Sequence, residues 1–420
     1  MIKDANGLDL TTARSDTLSA YNAFAEDWIG HGPRVRTIFK AADEDPACSL
    51  VNANAAAVHM ALESAPGFRN ARRYLTAARK TARDTTARER AFGMAIYDWW
   101  RGNPRATLKR LTALVKEHPA DIVAAKWAQY HAFNLGDADA MRTVAAAIMP
   151  AHEQTSAAWA MLAFAHEQSG DLARAEEAAN RALALNEADA WAHHAIAHVL
   201  EMQGRIDEGI AFLAARAHLW KDRSIFVREH NHWHLALLHL ERGEHARALE
   251  VYDQNLWGEW TDFAQEQIGA IGALWRLELR GVNVGQRWQP VVDKVSARWH
   301  EHILPFNDVH FVYALARGGR RHEAQEFLAS MIRHGEKDAS GIWDSLAIPL
   351  ARALIAFAEG RPAQTADLIA PVLPRLHLLG GSDIQRDVFV QTLIDAATRV
   401  GQASMAKSVI AAGQRVRQAA

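Results

Sequence analysis

The chain has 420 residues, of which 49% are hydrophobic, and its formal net charge is −2 at pH 7. This nearly neutral charge argues against nucleic acid or an anionic membrane as the main partner, because both attract strongly basic surfaces. Cys48 is the single cysteine, which excludes an intrachain disulfide and a cysteine-based zinc site, and we expect a reducing, cytoplasmic environment.

The N-terminal residues 1–85 are predicted to form a helical cap. The opening MIKDANGLDL lacks the apolar core of a signal peptide. Nowhere does an apolar run reach the roughly 18 residues that a membrane helix needs, so we expect no membrane partner. The segment has a helix-favouring composition but no clean period, which is typical of the end of a repeat array.

A regular period begins after this segment. Four glycines follow one another at steps of 34 residues, namely Gly102, Gly136, Gly170 and Gly204. A step of 34 is the period of the tetratricopeptide repeat (TPR), a pair of antiparallel helices. Each glycine is expected at the turn between the two helices, where a positive φ costs little without a Cβ atom.

The period lengthens towards the C-terminus. The next glycines follow at steps of 39, 38, 38, 41 and 41, namely Gly243, Gly281, Gly319, Gly360 and Gly401. We therefore predict an all-α solenoid of about nine TPR-like helix pairs over residues 86–420, with regular repeats over 88–221 and longer ones over 222–420. A tightly wound solenoid would enclose a concave pocket. The alternative is a helical bundle without repeats.

Histidines concentrate in the middle of this array. Residues 193–245 contain nine of the 21 histidines. On the helix that precedes Gly204, four side chains able to bind or catalyse are separated by 3, 4 and 3 positions, which places them on one helical face. They are Trp191, His194, His198 and Glu201. In a TPR helix pair, this face of the first helix lines the concave surface.

The following repeats continue the pattern. His230 and Trp233 have the same register, Asn231 lies between them in sequence, and His234 lies one turn after His230. Further on, PFNDVHFVYAL places three more polar residues at the start of a first helix. They are Asn307, Asp308 and His310, of which His310 has the register of His234.

Two histidine pairs have the spacing that lets two imidazoles on one helix bind the same metal ion. They are His194 with His198 and His230 with His234, and they predict a site for Zn or Fe. HAIAH has no glutamate after its first histidine, so it is not the zincin motif. Glu201 follows His198 by three positions, the reverse of the Glu-x-x-His order in di-iron bundles. Metal binding and metal-free histidines therefore both stay open.

These segments resemble the tetratricopeptide repeat protein 38 family. The resemblance covers roughly residues 40–400 and lies in DAWAHHAIAHVLEMQGR, HNHWHLALLHLERGEH, GVNVGQRWQPV, PFNDVHFVYAL and GGSDIQRDVFVQTLI. It implies the TPR fold and a shared site, but no reaction. The site that it implies adds Trp288, Arg386 and Asp387 to the residues above, whereas His193 and His232 depart from the family pattern.

Two functions are compatible with this pattern. The first is an enzyme, a hydrolase or lyase of a small molecule, working by acid–base catalysis or with a bound metal. Its predicted catalytic residues are His194, His198, Glu201, His230, His234, Asp308 and His310, with His194, His198, His230 and His234 as the metal ligands. Its predicted substrate-binding residues are Trp191, Asn231, Trp233, Trp288, Asn307, Arg386 and Asp387. The second is an interaction scaffold that binds a peptide or a partner helix. A homodimer is compatible with both.

Several of these residues also have a structural alternative. Trp191 and Trp233 could belong to the core, and Asp308 could cap the helix that follows it. Arg386 could close the last repeats through an ion pair instead of holding an anion. His193, His239 and His245 are expected to be solvated.

Overall fold

Eight helix hairpins turn at the predicted glycines in the computed structural model, which describes residues 1–402 and 404–409. The turn glycines from Gly102 to Gly360 have φ between 66° and 86°, so all of them adopt the left-handed conformation. Gly401 has φ 77° and follows the last long helix, but residues 410–420 of the ninth pair lie outside the described part of the chain. The prediction of an all-α fold built from TPR-like helix pairs is confirmed.

The helices occupy most of the described chain. The first of them are α1 Ser15–Gly30, α2 Thr37–Glu44, α3 Ser49–Met60, α4 Ala65–Thr81, α5 Ala87–Trp100, α6 Pro104–Glu117, α7 Ile122–Asn134, α8 Ala138–His152, α9 Ser156–Gln168 and α10 Leu172–Leu185. They are followed by α11 Ala190–Met202, α12 Ile206–Arg216, α13 Ile225–Glu241, α14 His245–Asn255, α15 Ala264–Leu279, α16 Trp288–Val295, α17 Pro305–Arg317, α18 Arg321–Gly335, α19 Ile348–Ala358, α20 Pro362–Ile369 and α21 Asp383–Arg399. The hairpins pair these helices in order from α5 with α6 to α19 with α20.

The residue after the turn glycine often starts the second helix. Asp137 and Asp171 directly follow Gly136 and Gly170, and each side chain accepts a hydrogen bond from the backbone N–H three residues later. The glycine therefore reverses the chain after the first helix. The aspartate next to it then accepts from a free N–H at the start of the second helix.

The contacts of the chain divide it into two compact units, residues 1–196 with 216–228 and residues 197–215 with 229–420, and the division falls inside α11. In the first unit, Trp28 stacks on the fully buried Trp127 with ring centroids 4.0 Å apart. The same unit contains a buried ion pair between Arg88 and Asp121, with a nitrogen–oxygen distance of 2.6 Å.

The N-terminal segment begins with a short antiparallel hairpin of β1 Ile2–Lys3 and β2 Asp9–Leu10 and continues through α1 to α4. It belongs to the first unit. Arg88 of α5 donates to the backbone oxygen of Asp9 at 2.6 Å, and Glu89 accepts from the hydroxyl of Thr11 at 2.6 Å. These bonds hold the strands against the first hairpin. The predicted boundary at residue 85 stays a prediction.

The second unit has its own aromatic core. Trp275 of α15 stacks on Tyr313 of α17 with ring centroids 3.9 Å apart, and Phe389 of α21 meets Trp275 edge-on at 5.6 Å. All three side chains are buried. Within the described residues, no helix combines the length and the apolar composition that crossing a bilayer requires.

Replacing Gly170 by alanine should test the left-handed turn. A Cβ atom there would meet no atom within 4 Å, so the φ of 78° alone should make Gly170→Ala destabilising. The expected cost is about 1 kcal/mol in the free energy of unfolding, measured by chemical denaturation. The matched control is Gly93→Ala inside α5, also with open space around the new Cβ, which should stabilise by about 0.5–1 kcal/mol. Equal effects of the two changes would contradict this account of the turn.

Candidate functional site

Two helices supply the histidines of the candidate site. The alanines of α11 are fully or almost fully buried, so this helix packs closely through small side chains while its larger residues occupy the remaining face. His198 and Glu201 come from α11, and His230, Trp233 and His234 come from α13. All five belong to the second unit.

The imidazole rings of these helices lie in contact. The rings of His198 and His234 have centroids 4.6 Å apart, and those of His230 and His234 lie 4.9 Å apart. His194 lies one helical turn before His198 on α11. One ring nitrogen from each of His198, His230 and His234 can be chosen so that all three fall within 4.8 Å of one another. Three of the four residues predicted as metal ligands therefore lie together in the second unit, and we name these three the histidine cluster.

A carboxylate orients one member of the histidine cluster. The Nδ1 atom of His234 lies 3.2 Å from Oε2 of Glu201, and the exposed fraction of the two side chains is 0% and 13%. When His234 donates its Nδ1–H to this carboxylate, the lone pair of the ring lies on Nε2. This carboxylate–imidazole arrangement is the usual outer support of a metal-binding histidine.

Burial favours the neutral form of the two imidazoles of α13, His230 and His234. Loss of solvation lowers the pKa of His230 from 6.5 to about 3, and His198 adds a smaller electrostatic contribution. The pKa of His234 is lowered well below its ordinary value, first by burial and then by His198, His230 and Arg276. Neutral imidazoles can bind a metal ion at neutral pH without first losing a proton.

A small pocket adjoins the histidine cluster in the second unit. Its cavity volume is about 10 Å³, room for about one water molecule and far below the roughly 300–1,000 Å³ of pockets for drug-sized ligands. Its lining combines imidazole, indole, guanidinium and amide groups, from His230, Trp233, Gln265, Arg276, His310 and Gln385 among others. Such a pocket suits water molecules or a small polar group more than a large substrate.

Arg276 of α15 also lines the small pocket. It was not among the predicted site residues, because no motif in the sequence marks a single arginine within a helix. It is 3% exposed, and its guanidinium lies over the Trp233 ring, 5.2 Å from the centroid. It donates to the backbone oxygens of Gly272 at 3.0 Å and Ile384 at 2.6 Å. Burial lowers its pKa to about 10. Its bonds to backbone oxygens tie α21 to α15.

Trp191 and His194 lie in the first unit. Their rings stack with centroids 4.2 Å apart, and Phe164 meets His194 at 5.0 Å. Trp191 is half-buried and packs against the core of the first unit, and Trp233 is 3% exposed, so both agree with the core alternative. Asn231 is fully buried. The binding roles predicted for these side chains stay predictions.

The N-cap alternative for Asp308 is wrong, because α17 begins at Pro305 with Leu304 as its N-cap. The carboxylate of Asp308 instead lies 2.5 Å from Nδ1 of His302, whose Nε2 lies 2.7 Å from the hydroxyl of Ser330. Burial raises the pKa of Asp308 to about 6. His302 lies just outside the helix, and no local pattern in the sequence marks it.

His310 and Asn307 are also buried in α17, with 1% and 2% exposure. The Nδ1 atom of His310 lies 2.8 Å from the backbone oxygen of Phe306, and its ring reaches the small pocket. Trp288 is 5% exposed and meets Tyr313 edge-on at 5.9 Å, which places it in the core rather than among the residues that line the small pocket.

Arg386 is occupied by structural bonds. Its guanidinium donates to the backbone oxygens of Gly380 and Gly381 and to the carboxylate of Asp383. These bonds agree with the ion-pair alternative rather than with anion binding. The neighbouring Asp387 accepts a hydrogen bond from Gln391 one turn further along α21.

The prediction that His193 and His239 are solvated is wrong, since they are 0% and 6% exposed. The Nδ1 atom of His193 accepts a hydrogen bond from the indole of Trp220 at 3.0 Å, and its Nε2 lies 2.9 Å from the backbone oxygen of Glu187. Both ring nitrogens of His193 thus have partners within the fold, which allows burial.

No protein-family model matches the chain. A chain in the crystal structure of the APC/C hetero-tetramer Cut9–Hcn1 is 13% identical, with a TM-score of 0.41 over 89% of this chain and 69% of that chain. A chain in the structure of Naa15/Naa10 bound to HypK-THB is 10% identical, with a TM-score of 0.27 over 96% of this chain and 64% of that one. The fold assignment rests on the helix hairpins themselves, and the resemblance to the tetratricopeptide repeat protein 38 family stays a prediction.

The protonation of His310 should make stability depend on pH. Burial lowers its pKa from 6.5 to about 4, so between these values the unfolded chain binds a proton that the folded chain does not. The free energy of unfolding should therefore fall as pH decreases, by about 2 kcal/mol from pH 7 to pH 5 for this residue. His310→Asn keeps a hydrogen-bond donor for the backbone oxygen of Phe306. In urea unfolding at several pH values, this variant should lose the part of the pH dependence of the unfolding free energy that comes from His310. The control is His322→Gln, whose side chain is 88% exposed. An unchanged slope in His310→Asn would contradict the neutral state of His310.

Proposed function

We propose that the chain is a helical-repeat protein that binds a divalent transition-metal ion in the histidine cluster. The observation that carries this proposal is the convergence of one ring nitrogen from each of His198, His230 and His234 within 4.8 Å in the second unit. Imidazole is a preferred ligand of Zn²⁺, Cu²⁺, Ni²⁺ and Fe²⁺. A tetrahedral ion with metal–nitrogen distances of about 2.1 Å needs ligand nitrogens about 3.4 Å apart, which small ring rotations from the present positions can supply.

The chemistry of the surroundings supports a metal ion over a purely apolar packing role. The rings of His198 and His230 both contact that of His234, which gathers several polar imidazole nitrogens at one place in the fold. Imidazole nitrogens so gathered suit a cation, whereas leucine or phenylalanine would suit apolar packing alone. Glu201 on the outer side of His234 supplies a negative charge that partly balances the ion.

The same geometry favours a structural or storage role over hydrolysis or elimination. The adjoining pocket has room for about one water molecule, so no substrate fits beside an ion bound there. The proposal therefore includes metal binding but no hydrolase or lyase reaction.

A second candidate function is a protein-interaction scaffold, which the repeated hairpins favour. Arrays of stacked helix pairs present extended surfaces that bind peptide segments or helices of other proteins. The two candidates are compatible, since a metal ion bridging α11 and α13 would rigidify neighbouring hairpins of such a scaffold.

Metal content provides the direct test. Tag-free protein reconstituted with Zn²⁺ and passed through gel filtration should retain about one ion per chain in elemental analysis. The ion should raise the melting temperature, since binding at 1,000 times the Kd stabilises the folded state by about 4 kcal/mol. His198→Ala and His234→Ala should lose the ion, and Glu201→Gln should bind it about 10- to 100-fold more weakly.

The control for this experiment is His322→Ala, because its exposed imidazole lies on α18, outside the histidine cluster. It should retain the ion and the full melting-temperature shift. The metal proposal would be contradicted if the unmodified chain, folded by circular dichroism, retained no Zn²⁺, Cu²⁺, Ni²⁺ or Fe²⁺ after reconstitution.

The scaffold candidate is tested separately from metal binding. The immobilised full chain should retain a specific protein from an extract, and that protein, once purified, should bind again in isothermal titration with 1:1 stoichiometry. The control is a variant in which the charged, exposed residues of α18 are exchanged among themselves. This variant keeps the net charge and should keep the fold. If no retained protein binds again after purification, the scaffold candidate fails while the metal proposal is unaffected.

A further inference from the structure

The first unit contains an amine in an unusual environment, separate from the histidine cluster and independent of the proposed metal. Lys126 on α7 is half-buried, and its Nζ atom lies 2.9 Å from Nε2 of His31. The same Nζ atom lies over the ring of Trp191, 4.6 Å from the centroid. No carboxylate among the described residues pairs with Lys126 at ion-pair distance, so its hydrogen-bond partner is an imidazole.

The imidazole beside Lys126 is held in a strained conformation. His31 ends α1 with φ 55°, in the left-handed region that a residue with a side chain seldom adopts. Its backbone N–H donates to the oxygen of Asp27, and its own oxygen accepts from the N–H of Ser224 at 2.7 Å. The ring is 8% exposed and lies between Trp191 and Phe226, with centroids 4.9 Å and 5.9 Å away. Strain maintained by surrounding bonds is common at functional sites.

A structural role does not explain this arrangement. A buried lysine that only stabilised the fold would gain most from a carboxylate, because the desolvation of an ammonium is costly. The neighbouring carboxylate of Asp189 instead accepts from the backbone N–H groups of Trp191 and Ala192 and from the Ser156 hydroxyl. The amine is therefore placed between aromatic faces and a proton acceptor, the environment of lysines that react as nucleophiles.

We propose that Lys126 forms an imine with a small aldehyde or ketone, and that His31 transfers the protons. The Nζ atom adds to the carbonyl carbon and gives a carbinolamine. The carbinolamine hydroxyl then leaves as water while the carbon–nitrogen double bond forms. Both protons of the neutral amine end on that water by way of Nε2 of His31, so one amine and one carbonyl give one imine and one water.

Electrostatics support a reactive amine at neutral pH. Burial lowers the pKa of Lys126 to about 8, opposed by the charge of Asp189. About one tenth of such an amine is neutral at pH 7, against less than about one thousandth of an exposed lysine. Burial, Lys126 and Arg223 all lower the pKa of His31, so its ring stays neutral and able to accept a proton.

The test is reductive trapping on the full chain. The protein is incubated at pH 7 with benzaldehyde and sodium cyanoborohydride, and peptide mass spectrometry follows the modification of each lysine with time. Lys126 should be modified at least about 10-fold faster than the exposed Lys40, the internal control, because of its larger neutral fraction. Lys126→Arg should remove the fast site and leave Lys40 unchanged.

A second variant separates the proton-transfer role from packing. His31→Asn removes the imidazole, and asparagine tolerates the left-handed conformation better than most residues. It should slow the modification of Lys126 at least about 10-fold without unfolding the protein. The proposal would be overturned if Lys126 in the unmodified chain reacted no faster than Lys40, or if His31→Asn, folded by circular dichroism, left the rate unchanged.

Discussion

A left-handed backbone conformation at one glycine in each hairpin is the constraint on which the rest of the structure depends. It reverses the chain within two or three residues, and the first helix of each hairpin ends two residues before its glycine. The register of every first helix is thereby set by its glycine. In this register the histidines of α11 and α13 lie at different distances from Gly204 and Gly243, and the rings of His198, His230 and His234 meet.

Burial then determines the chemistry of these groups. Away from water, imidazoles and amines favour their neutral forms, which are the forms that bind metal ions or attack carbonyl carbon. The low pKa of His230 and the lowered pKa of Lys126 have this common cause. Each group also has a fixed hydrogen-bond partner inside the fold. Glu201 is the partner of His234, and His31 is the partner of Lys126. These partners determine which atom of the group can react or bind.

The repeat and the histidine-bearing faces of α11 and α13 could be predicted from sequence, because both depend on short-range periodicity. The steps between glycines identified the hairpins, and the spacing of three and four residues identified the faces of α11 and α13. By contrast, Lys126 and His31 lie 95 positions apart, and nothing local marks either as half of a pair. The burial of His193 was missed because its partner, the Trp220 indole, comes from a later segment.

X-ray absorption at the zinc edge of the Zn²⁺-loaded full chain tests the central claim most directly, because it reports the ligands of the ion in solution. The account predicts a first shell that contains about three imidazole nitrogen atoms at about 2.0–2.1 Å. The outer-shell scattering should have the pattern of several imidazole rings. A first shell of oxygen atoms without imidazole scattering, as for zinc bound at the surface or in buffer, would contradict the account.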